Sequence, residues 1–404
     1  MKLACRYCIS FLLLCVALTT AHADDVSGVN IVRVDGRAVK GRLIDLTPDS
    51  LTWATPNAQR IPLDDVLRIE MRPSHSRRLP RQSVLYLANG DRLHVSPSVS
   101  DGESITASWP AFPGWKTVSI PLETVRAMRL QPPTQADTKN RLRKRLLEKT
   151  ANTDLLLLAN GDEVTGELQS FSEKNFAIET NAAQSFLPRN GVIGVRFNSE
   201  LVGFPNPKGK RTLVSLTDGS RVTVDTINLK SNVFTARAVF GPTLTIPLSA
   251  VASLRLFDRR AVYLSDLKPV STNQTPFLSL KRPPRNDRNV LGGPLMLRGV
   301  EFLKGLGMHS RTESEYDLTA GFASFQATIG LDDAAKNGGH IIYAVELDGK
   351  RVFTSTPVTG GQAAHTLKPI DVSTAKRLKL IVDFGQGGDI RDYANWCDAV
   401  LIRK

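Results

Sequence analysis

The chain has 404 residues, 52 of them Lys or Arg and 39 Asp or Glu, which gives a formal net charge of +13. Hydrophobic residues make up 41% and charged residues 23%, the balance of a folded globular protein rather than a disordered or fibrous one. This length accommodates two or more domains with ordinary cores, and four cysteines are too few for a disulfide-rich scaffold.

Residues 1–23 read as a secretory signal peptide. Lys2 and Arg6 make a basic start, residues 9–18 are apolar apart from Ser10, and Ala21-His22-Ala23 has the small residues of a cleavage site. The apolar run is shorter than the about 20 residues of a spanning helix, and no later run is long enough to cross a membrane. The expectation is therefore an exported protein, periplasmic, cell-surface or extracellular, without a transmembrane segment after signal removal. Cys5, Cys8 and Cys15 leave with the signal, so Cys397 remains alone and no intramolecular disulfide forms. Lys2 and Arg6 account for two of the positive charges, leaving +11 on the mature chain. Zinc-type Cys and His spacing is absent.

The chain then repeats itself four times, over residues 29–72, 83–130, 154–198 and 211–258. Each repeat has a tight-turn signal: Asp35-Gly36, Asn89-Gly90-Asp91, Asn160-Gly161-Asp162 and Asp218-Gly219. Asn-Gly and Asp-Gly supply the positive φ angles of a hairpin. Each also has an apolar-Pro phrase further on: Ile61-Pro62-Leu63, Ile120-Pro121-Leu122, the weaker Phe186-Leu187-Pro188, and Ile246-Pro247-Leu248. Proline cannot donate to a ladder, so these phrases belong at a strand start or on an edge. One repeat reads as about five short strands, the content of a small SH3-like or Sm-like barrel. Whether the repeats form separate or merged barrels stays open. Asn160-Gly161-Asp162-Glu163-Val164-Thr165-Gly166 resembles the first half of an Sm motif, but the RNA binding of that family is not carried to an exported chain, and no nucleic-acid partner is expected. Between repeats two and three, residues 131–153 form a linker, with a short helix expected over 137–149 that shows Leu142, Leu146 and Leu147 on one side.

Basic residues gather in three runs: Arg72, Arg77, Arg78 and Arg81; Lys139, Arg141, Arg143, Lys144, Arg145 and Lys149; and Lys281, Arg282, Arg285 and Arg288. They read as solvated linkers, or as contacts to an acidic surface.

From residue 261 to the end the pattern is again all-β. Ser324-Phe325-Gln326-Ala327-Thr328-Ile329 alternates, Leu378-Lys379-Leu380-Ile381-Val382 has strand length, and Ile341 to Leu347 runs into the hairpin signal Asp348-Gly349. Physical reasoning stops at a two-sheet sandwich or barrel. Motifs go further. Tyr263-Leu264-Ser265-Asp266, Gly305-Leu306-Gly307-Met308-His309-Ser310, Gly330-Leu331-Asp332-Asp333, Leu347-Asp348-Gly349-Lys350 and Tyr393-Ala394-Asn395-Trp396-Cys397-Asp398 occur in this order. Over about residues 262–402 the chain resembles the NPCBM family, carbohydrate-binding modules attached to many glycoside hydrolases. The resemblance implies a galactose-binding-like jelly-roll β-sandwich and a glycan partner.

A sugar site needs an apolar ring face and a few fixed polar groups. The expected set is His309, Arg311, Tyr393, Asn395 and Trp396, with a core position for Trp396 the competing expectation. Asp332, Asp333, Asp389 and Asp392 are candidate ligands for a structural calcium, which such sandwiches often hold by resemblance and which takes loop carboxylates. Motifs of catalysis are missing: there is no Gly-x-Ser-x-Gly, no His-Glu-x-x-His and no phosphate loop. The expected function is an exported, non-catalytic carbohydrate-binding protein, with the barrels as spacers or protein-docking modules. The alternative is a cell-envelope structural or assembly protein whose sandwich contacts protein.

Overall fold

The computed structural model describes residues 28–71, 82–131, 142–143, 145–147, 152–181, 183–205 and 209–404. The expected signal peptide and the first basic run lie outside the described residues.

Each repeat is built the same way. In the first, the strand Val29–Arg33 pairs with both Ala38–Leu46 and Val66–Met71, Ala38–Leu46 pairs with Ser50–Ala54, and Ser50–Ala54 with Ala58–Pro62. The hairpin after the first strand turns on Gly36, Gly90, Gly161 or Gly219, all at φ between +81° and +98°, where a side chain would be strained. The proline phrase ends the fourth strand, whose outer edge has no ladder partner among the described residues, so the missing N–H costs nothing there. One turn of 3-10 helix follows and sets the chain into the fifth strand. The second strand carries a register shift, between Leu43 and Asp45, Leu168 and Ser170, or Val224 and Thr226, where it bends over the core; in the second repeat this strand is broken into Arg92–Leu93 and Ser96–Ser100, and the shift falls between Pro97 and Val99.

Four independent tandem barrels are not what this produces. The fifth strands pair across repeats: Val251–Phe257 of the fourth lies antiparallel to Val66–Met71 of the first, and Val192–Arg196 of the third to Val125–Arg129 of the second. The repeats are thus nested, first with fourth and second with third, in one 21-stranded hydrogen-bonded network around a continuous apolar core. The reason is edge satisfaction: an unpaired fifth strand would leave a row of N–H and C=O groups open. Buried Asp91 ties repeats two and four together, accepting from the Thr223 N–H (2.7 Å) and hydroxyl (2.8 Å). Of the expected linker helix, residues 142–143 and 145–146 are helical, with Leu142 and Leu146 buried on Ala127, Leu155 and Leu157.

The C-terminal part is a two-layer antiparallel sandwich. One layer centres on Tyr393–Arg403, flanked by Gly305–His309 and Phe322–Leu331; the other centres on Arg377–Phe384, flanked by Thr312–Asp317 and His340–Leu347. Leu306, Phe325, Tyr343, Leu380 and Trp396 fill the space between them. The sandwich is bolted to the repeat body. Tyr263, Val400 and Ile402 pack on Val32, Val34 and Leu67. Arg255 of the fourth repeat donates to both carboxylate oxygens of Asp398, at 2.6 and 3.3 Å, and to Tyr263 Oη at 3.2 Å.

Candidate functional site

The expected sugar residues do not converge on one surface. Trp396 is fully buried, edge-on to Tyr343 with ring centroids 5.0 Å apart, so it cannot stack on a ligand. Asn395 is fully buried beside it, its Nδ2 donating to Asp332 Oδ2 at 2.7 Å. His309 is 3% exposed, its Nδ1 3.0 Å from the Ser310 carbonyl oxygen and its ring tilted against Tyr393. These three hold the fold. Tyr393 is half-buried, and Arg311 alone of the set is substantially exposed, with 46% of its side chain in solvent. The cause is the central position of Tyr393–Arg403: with strands on both sides and covered faces, Asn395, Trp396 and Cys397 are buried in succession.

The four aspartates form no cation cage either. Asp332 accepts from Asn289 Nδ2, Met296 N, Ala334 N and Asn395 Nδ2, clamping the 289–296 loop. Asp333 accepts from the Arg298 and Gly299 N–H groups, both at 2.7 Å. Asp392 accepts from the Ser310 hydroxyl and the His340 N–H, joining three loops at one end of the sandwich. Burial pushes its carboxyl up, against the opposing pull of those two donors. The Asp389 carbonyl oxygen takes the Asp392 N–H at 3.4 Å. Among the described residues no group of three or more His, Cys, Asp or Glu is placed to hold a metal ion.

The end of the sandwich that Asp392 braces does present a surface. Beyond the strand Ser271–Gln274, Thr275 and Arg311 exchange backbone hydrogen bonds at 3.0 and 3.3 Å, which brings Phe277 to the rim. Phe277 is 60% exposed and meets Phe384 edge-on at 5.8 Å. Gly388, at φ +73°, lies under the ring, where a Cβ would come within 3.2 Å of it. The glycine loop is anchored by Gly385 N–H to the His340 carbonyl and by Gln386 N–H to His340 Nδ1, both 2.8 Å. Near this end, on the adjoining strands, Arg311 lies 3.2 Å from Glu313 and 3.8 Å from Asp383. An exposed aromatic face provides a partner for sugar C–H surface, and the charged groups of the same end offer partners for hydroxyls. Sequence reasoning missed Phe277, because it lies outside the motifs on which the site residues were chosen.

The C-terminal part is thus a two-layer antiparallel β-sandwich with an exposed aromatic ring at one loop end. Residues 260–402 match the model of the NPCBM/NEW2 domain. A curated relative named "Putative endo-alpha-N-acetylgalactosaminidase", from Renibacterium salmoninarum, is 28% identical over 179 residues. The match takes in 44% of this chain but only 12% of that relative's length. Among solved structures, the chain is similar to CBM51 from Clostridium perfringens GH95 in complex with methyl-galactose, at 26% identity over 35% of this chain and 99% of that one, with a TM-score of 0.32. It is also similar to CBM51-2 in complex with GlcNAc and INT domains from Clostridium perfringens ZmpB, at 23% identity over 46% and 44% of the two chains, with a TM-score of 0.33.

Proposed function

We propose that this is an exported, non-catalytic carbohydrate-binding protein whose sandwich takes a sugar at the Phe277–Arg311 end, with the four-repeat body as its rigid platform. The observation that carries the reading is the exposed Phe277 ring, at the same end of the sandwich as Arg311, on a domain that matches the NPCBM/NEW2 model. A sugar ring stacked there would gain roughly 1–2 kcal/mol at about 25 cal/mol per Å², about tenfold in affinity. A glycan array with the full chain should give a specific signal, and Phe277→Ala should weaken the best ligand by about that factor without changing the melt.

A second reading has its own observation. Leu278, Leu280 and Ile390 are 79%, 61% and 72% exposed, and all belong to the loops that frame Phe277. A surface this apolar also suits protein docking in a cell-envelope assembly. A silent array together with a protein partner whose capture is lost in Phe277→Ala would favour that reading over sugar binding.

A further inference from the structure

A cleft lies where the sandwich meets the repeat body. It holds about 1020 Å³ and is lined from both sides. The repeat body contributes Arg221 and Arg143, the latter from the short helix; the sandwich contributes Arg288. Two of the basic runs, far apart in the chain, therefore meet across one space. The local balance of charge is positive. Arg92 and Arg221 converge on a single carboxylate, Glu301, at 3.4 and 3.0 Å. Burial, reinforced by Arg92, pushes the Arg221 guanidinium down to about 10. Burial, then Arg143, likewise lowers Arg288. Cations held near one another at a cleft repel, and an entering anion relieves the repulsion. The walls also carry aromatic surface from Phe204 and Phe257, both half-buried. Guanidinium groups match planar oxyanions with paired hydrogen bonds, and aromatic faces match sugar C–H surface.

We propose that this interdomain cleft binds an acidic saccharide, one bearing carboxylate or sulfate groups, through Arg143 and Arg288. Arg221 is left out of the test because Glu301 depends on it. The site does not rest on the loop-end reading: Lys304 and Arg311 bracket the strand Gly305–His309, with Lys304 at the cleft and Arg311 at the Phe277 end. The five-residue strand between them spans about 16 Å.

The test is calorimetric titration of the full chain with trigalacturonic acid, galactotriose and inorganic sulfate. Trigalacturonic acid should bind in the cleft and weaken as salt rises, because charge contacts are screened. Arg143→Ala and Arg288→Ala should each weaken it about tenfold, the effect of one charge-assisted contact, with the parent's melting temperature retained. Phe277→Ala should leave trigalacturonic acid binding unchanged, which separates this site from the loop end. No binding of trigalacturonic acid, equal binding of galactotriose in the cleft, or unaltered affinity in both arginine variants would overturn the proposal. So would sulfate binding as tightly as the trisaccharide, since the saccharide would then contribute nothing.

Discussion

Trp396→Ala separates core from site. The side chain is fully enclosed, with Tyr343 edge-on at 5.0 Å and Phe325 at 6.4 Å between ring centroids. Truncating a buried tryptophan costs about 3–5 kcal/mol, of which roughly 0.5–1.5 is the aromatic pairing itself. At about 2–4 °C per kcal/mol for a domain of this size, the sandwich transition should fall by roughly 10 °C. Phe277→Ala, at a largely solvated position, should stay within about 0.5 kcal/mol of the parent. His309→Ala should behave like the tryptophan variant in kind, since a buried ring leaves the core. Scanning calorimetry on the full-length variants gives the melts, and affinity for the best array ligand completes the comparison. A Trp396→Ala protein that melts like its parent yet fails to bind would refute the argument and return the ring to the ligand.

Three further expectations concern pH, metal and processing. Burial acts to raise the Glu301 carboxyl, but Arg92 and Arg221 outweigh it and hold the group below its ordinary 4.5. A carboxyl depressed in the fold stabilises above its unfolded pKa and loses that contribution as pH falls through the folded value. Glu301→Gln should therefore flatten the acid side of the stability curve below about pH 4.5, and a curve parallel to the parent's would count against the pairing. Chelation followed by calcium should leave the melt unchanged, because Asp332, Asp333 and Asp392 already serve N–H and hydroxyl donors; calcium found by elemental analysis of the purified protein would contradict this. Exported protein should begin at Asp24 on N-terminal sequencing, and a retained Met1 would count against processing.

What was legible in the chain was local. Asp-Gly and Asn-Gly turns mark hairpins because positive φ selects them, and the proline phrases mark the ends of edge strands because proline lacks a donor. The pairing of fifth strands was not legible, since Glu70 meets Ser253 and Arg196 meets Ala127 only once distant repeats have folded. The sandwich motifs match the NPCBM/NEW2 model, and several of their polar and aromatic residues lie in the interior rather than on a surface. Motif residues such as Asn395, Trp396 and Asp332 are distinctive because they form a buried hydrogen-bonded and packed unit. Phe277 lies outside those motifs, and its loop position shows only when Thr275 is seen paired with Arg311.

Asp398 shows how the motif region reaches beyond the sandwich. It lies two residues after the core tryptophan and binds Arg255 with both oxygens while Arg68 approaches to 3.5 Å. The next ties come from the connection itself: Arg260 reaches Asp65 at 2.7 Å, and Arg259 pairs with Asp64. A half-buried ion network of this kind holds orientation more than it adds net stability, because desolvation offsets much of the attraction. Orientation is what the cleft needs. The cleft exists only while both domains keep their places, whereas the Phe277 end is assembled wholly within the sandwich. Asp398→Ala should therefore loosen the cleft and weaken acidic-saccharide binding while leaving affinity at the loop end intact. Equal loss at both would mean that the sandwich itself, and not its docking, depends on this carboxylate.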